Sequence, residues 1–160
     1  MSPDESLIQH LLDLLRKGNA HTTFDDAVKG VPIAKAGVRP EGSPYSPWEL
    51  LEHLRTAQHD ILKFSQGPGW VSPKWPEGYW PKSPKPASAA AWRKSVSAFR
   101  ADLAAFEKLL RKRAGELHEP FPWGDGQTVL REALLVADHN AYHLGQIVDL
   151  RRLLGAWEEK

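Results

Sequence analysis

The sequence predicts an all-α protein: a four-helix bundle with a long crossover connection between its second and third helices. Three observations carry this expectation. Apart from Pro3, the 13 prolines fall at 32–47, 68–86 and 120–122, which leaves four long proline-free stretches, and proline costs about 3 kcal/mol in a helix interior. Apolar residues recur at helical spacing within those stretches. No alternating strand pattern of useful length competes with them.

The first helix is expected at 3–17. Ser2-Pro3-Asp4-Glu5 places a capping serine, a proline at the first helical position and a glutamate three residues after the cap, which together make a capping box. Leu7, Leu11 and Leu14 form its seam beside Ile8, Leu12 and Leu15. The second helix, at 47–65, repeats the same signal in Ser46-Pro47-Trp48-Glu49, with Leu50, Leu54, Ile61 and Phe64 as its apolar face. In the third, at 87–114, Trp92, Val96, Phe99, Leu103, Phe106 and Leu110 alternate steps of four and three, the seam of a packed helix. The fourth, at 127–154, is preceded by Asp125-Gly126-Gln127-Thr128 and stopped by Gly155. Leu135, Leu150, Leu153 and Leu154 should mark its buried face, with Ile147 and Val136 at the edge.

Residues 66–86 join the second and third helices. Their prolines favour extended backbone of about 3.1 Å per residue, long enough to run the length of a helix, so the two helices can be parallel. Trp70, Trp75, Trp80 and Tyr79 lie in this segment. They either pin it to the bundle or line a substrate site.

With 160 residues the chain suits a single domain over 1–160. The 21 Lys+Arg nearly balance the 20 Asp+Glu, which argues against nucleic acid or an anionic membrane as a partner. The N-terminal apolar run is interrupted by Asp4, Glu5, Asp13 and Arg16, so neither a secretory leader nor a membrane span is expected, and the expected location is cytoplasmic. A homodimer is expected for a small bundle with surplus aromatics. There is no cysteine, which removes disulfides, a thiol nucleophile and thiolate metal sites. Motifs for hydrolase triads, phosphate loops and dinucleotide binding are also missing.

Any metal must therefore be held by His, Asp or Glu. Of the seven histidines, His139 and His143 are four apart in the fourth helix. At 100° per residue His143, Leu135, Gln146, Leu150 and Leu153 all lie within about 40° of His139, so both imidazoles should point inward. Buried imidazoles need partners, which a divalent cation or a hydrogen-bonded core pair would supply. His53, on the inner face of the second helix beside Leu50, Ala57 and Phe64, is the best third ligand, whereas His59 is rotated about 120° away. Glu49 and Asp60 share that face approximately. Either could orient a ligand or act as a base, although Glu49 also has a capping role and Asp60 could pair with a neighbouring helix. Gln146 fits behind a ligand better than on the metal.

The segments Ser46-Pro47-Trp48-Glu49-Leu50-Leu51-Glu52-His53 and His139-Asn140-Ala141-Tyr142-His143-Leu144-Gly145-Gln146 resemble the DinB-like superfamily of metalloenzymes. The resemblance extends to Phe24–Pro40, Gln58-His59-Asp60-Ile61 and the Trp/Pro-rich connection. It implies a four-helix bundle with a crossover and one divalent metal held by His53, His139 and His143 at an open pocket. Zinc or nickel is the first expectation, with iron or manganese behind. It further implies a metal-dependent transferase that activates a low-molecular-weight thiol for a small-molecule electrophile. The alternatives are a non-catalytic metal-binding or stress-associated protein and a hydrolase that activates water.

Overall fold

The computed structural model describes residues 3–158. Among them the chain is all-helical, with no strand. Its α-helices are α1 (Pro3–Lys17), α2 (Phe24–Val28), α3 (Ile33–Ala36), α4 (Pro47–Gln66), α5 (Ala89–Lys112) and α6 (Val129–Leu153), with single 3-10 turns at Glu77–Tyr79 and Ala114–Glu116. The four long helices match the four expected ones to within two residues at each end. Ser2, the first expected cap, lies outside the described residues.

The other helix starts are built by side chains that satisfy otherwise orphaned backbone donors. Ser46 accepts from the Glu49 amide and the Glu49 carboxylate accepts from the Ser46 amide, closing the expected capping box of α4. Thr128 caps α6 by accepting from the Arg131 amide. Ser88 caps α5 and Thr23 caps α2 in the same way. Gly155, at φ 60°, takes the left-handed turn that ends α6.

Two apolar clusters make the core. One joins the first half of α4 (Leu50, Leu51, Leu54), the first half of α5 (Trp92, Val96, Phe99) and the second half of α6 (Leu144, Ile147, Val148), and α2 and α3 close over it. The other joins α1, Leu62 near the end of α4, the second half of α5 (Phe106, Leu110) and the first half of α6 (Val129, Ala133, Val136). This pairing of halves fixes the directions: α4 and α5 run parallel, and α6 runs against both. Side-chain bonds in step confirm the parallel pair. Gln58 Nε2 donates to the Phe99 carbonyl at 2.8 Å, and one residue further on His59 Nδ1 meets Asp102 Oδ2 at 2.9 Å.

A parallel pair needs a connection that returns the length of a helix, and residues 67–88 provide it. The segment descends α4 from its end to its start. The Trp70 indole and the Tyr79 hydroxyl both donate to Asp60 at 2.7 Å, Trp80 lies on His53 and on Tyr45, and the Pro84 carbonyl accepts from the Ser46 hydroxyl.

The buried stripe of α6 differs from the expected one. Val136 and Ile147 are core residues at 1% and 0% exposure, whereas Leu153 is 67% exposed and Leu135 is only half-buried. The stripe is centred about 100° round from His139, near Asn140 and Leu144. His139 and His143 therefore stand on the flank of the core, where a cavity can reach them.

Candidate metal centre

Three helical positions converge on that flank. His53 projects from the second turn of α4, and His139 and His143 lie one turn apart on α6. The ring nitrogens available from the three lie within 4.8 Å of one another. The Nε2 atoms of His53 and His139 are 3.0 Å apart. Two nitrogens bound to one ion at about 2.0–2.1 Å can be no more than about 4.2 Å apart, so this separation suits a shared cation.

Proton positions follow from the partners behind the rings. A carbonyl oxygen can only accept, so His53 Nδ1–H donates to the Tyr79 carbonyl at 3.1 Å, and the neutral ring keeps a bare Nε2. His143 Nδ1 is 2.6 Å from the Gln146 Oε1 and donates to it, which again leaves Nε2 with its lone pair. This is the arrangement in which a carbonyl fixes the tautomer and orientation of a metal-binding histidine. Burial lowers the pKa of all three rings. His139, further disfavoured as a cation by His143 and His53, is pushed down to about 4. Neutral imidazole is the form that binds metal, and the donor set fits a divalent transition ion.

A cavity of about 300 Å³ opens beside the three rings. Ala57, Ile61 and Leu135 give it an apolar wall, and Trp75 and Tyr79 contribute aromatic faces from the connection. Trp80 stacks on His53 with ring centres 4.0 Å apart and planes 3° from parallel. The connection thus both pins itself to α4 and lines the cavity. The Tyr79 carbonyl, Trp75 and Trp80 are the contacts of the candidate centre that helix periodicity could not reveal, since all lie outside regular α-helix. Their signal was the density of aromatics in a proline-rich segment.

The other expected residues separate. Asp60 lines the cavity, but its two oxygens accept from Trp70 and Tyr79 rather than pairing with a neighbouring helix. The Tyr79 hydroxyl, pushed up to about 12 by burial and by Asp60, stays a donor. Glu49 does not line the cavity; it caps α4 and forms an ion pair with Arg39. Gln146 stands behind His143, its Oε1 on Nδ1. His59 faces α5, away from the cluster.

A family model described as the DinB superfamily matches residues 18–147. The chain belongs to the DinB superfamily. The match spans α2 through most of α6 and includes all three histidines, so this DinB-superfamily chain carries its candidate centre within the matched region. Neither the curated proteins nor the solved structures compared with it yield a match. No helix among the described residues is long and apolar enough to cross a membrane.

Proposed function

We propose that the chain is a metal-dependent enzyme that activates a low-molecular-weight thiol for transfer to a small electrophile. The observation that supports this most is the adjoining cavity. A structural metal site is closed, whereas three protein nitrogens at the end of an open cavity leave positions for reactants. When bound by three neutral imidazoles, a divalent ion keeps its full charge, favouring a thiolate or hydroxide over its protonated form.

The chain's own part in this reaction is positioning. Tyr79 and Gln146 hold His53 and His143 with their Nε2 atoms facing inward, and the apolar wall keeps water from the second reactant. In the transfer the thiol proton leaves to solvent, a sulfur lone pair forms the bond to the electrophilic atom, and the displaced group departs with its bonding pair. The protein contributes no sulfur, since it has no cysteine.

The test is a screen of protein loaded with zinc, nickel, iron or manganese against several small thiols and electrophiles, with His53→Ala as control. Thioether formation by the wild type and its loss in the control is the expected result. In parallel, His143→Ala should lose stoichiometric metal by elemental analysis. Undiminished metal in that variant would remove the basis of the proposal.

A further inference from the structure

Beyond the histidines, the cavity wall has a distinct chemical character. Ala57 and Ile61 of α4 face Leu135 of α6, and the Trp75 and Tyr79 rings meet at 5.5 Å with planes 60° apart. Together they form an apolar slot with two aromatic faces. Among the described residues that line the cavity, Asp60 is the one carboxylate, and no lysine or arginine contributes. A divalent ion at the histidines would neutralise one anionic atom beside it. Any further negative charge carried into the slot would have no basic partner and would face Asp60, so it would be desolvated without compensation.

We propose that this slot binds the electrophile through a flat, apolar body that bears no negative charge, with Asp60 as the residue that rejects anions. The inference rests on reading the histidine cluster as the reaction centre, and it adds the chemical class of the second reactant. A cavity of about 300 Å³ is at the small end of ligand sites, a size suited to one or two fused rings. The Trp75 and Tyr79 faces offer such rings stacking and edge contacts. Asp60 accepts from Trp70 and Tyr79, which fixes the direction of its carboxylate. Rejection by a fixed like charge is a means of specificity that does not need tight binding of the favoured partner.

The test uses two fluorescent probes that share one aromatic body, neutral phenylnaphthylamine and anionic anilinonaphthalene sulfonate, titrated into metal-free protein so that the sulfonate cannot bind an ion. One neutral probe per chain is expected, with the sulfonate about tenfold or more weaker. Trp75→Ala should weaken the neutral probe about tenfold. Asp60→Asn should raise sulfonate affinity relative to that of the neutral probe. Because Asp60 also anchors the connection, Ile61→Lys serves as a second variant, supplying a cation on the wall and again favouring the sulfonate. Equal affinity of the wild type for both probes, or a neutral affinity indifferent to Trp75→Ala, would overturn the proposal. Zinc uptake by the same preparations reports separately on the centre. Loss of uptake with retained charge selectivity would count against the thiol reaction, and normal uptake with a preference for the sulfonate would count against the slot.

Discussion

His53 shows that the competence of a ligand depends on the atom behind it. Its Nδ1 is engaged by the Tyr79 carbonyl, so its lone pair has one direction to face, and Gln146 does the same for His143. Gln146→Leu should therefore keep the fold and lower metal affinity about 10- to 100-fold, measured by competition with a chromogenic chelator. Unchanged affinity would show that the amide does not orient the ring. Glu49 illustrates the opposite outcome, a carboxylate near a site that serves the helix. Burial pushes its carboxyl up, but the Arg39 guanidinium and the Ser46 donors outweigh burial and leave it below the ordinary value of 4.5. A depressed folded pKa means that its stabilisation is complete above about 4.5 and is lost as the pH falls further. Glu49→Gln should cost about 0.5–2 kcal/mol at neutral pH, and the gap to the wild type should shrink towards about pH 3 in urea denaturation. Both the three histidines and the capping box were legible as residue types at helical spacing. The carbonyl behind His53 was not, because a backbone atom 26 positions away leaves no mark on the local pattern.

At the scale of elements, the segment between α4 and α5 carries more than its irregular backbone suggests. Its aromatics reach Asp60, His53 and Tyr45 in turn, so it is a strap pinned by side chains in place of a hydrogen-bond ladder. Trp80→Ala should free its middle and speed limited proteolysis within residues 67–88 several-fold, while the helical circular dichroism changes little. Equal cleavage rates would mean that the other anchors suffice. The long helices were readable because α5 buries nearly the whole seam its spacing describes. On α6 the reading was displaced, since a leucine near the end of a helix scores as core although nothing covers it. Leu153 has no neighbouring layer, whereas the amide of Asn140 is buried by donating to Gln58. The short α2 and α3 escaped notice because elements of five and four residues offer too few positions for a period. Phe24 is fixed by stacking on Phe99 at 3.8 Å, a contact between distant parts of the chain.

For the molecule as a whole, the parallel course of α4 and α5 is the feature most open to direct test. A chain without cysteine accepts reporter thiols cleanly, so Glu52→Cys combined with Ser95→Cys, which meet near the starts of both helices, should be captured by a short bifunctional cross-linker. Failure of that pair to react would contradict the order of the helices. In the cluster that includes α1, Phe106 is fully buried, and Phe106→Ala should cost about 3–5 kcal/mol by urea denaturation, without affecting metal content. Two buried polar pairs meet across α4 and α6, His53 with His143 and Gln58 with Asn140, and the Tyr79 carbonyl joins His53 from the strap. That last contact is one of several that fold the strap back onto α4, with the Trp70 and Tyr79 bonds to Asp60 and the Trp80 ring on His53. Whatever holds His53 in its inward rotamer also holds the strap shut, and by linkage an ordered strap must favour occupancy of the imidazoles to the same degree. Amide hydrogen exchange at Tyr79 and Trp80 should therefore slow on adding zinc, so that the backbone which supports the centre reports its occupant.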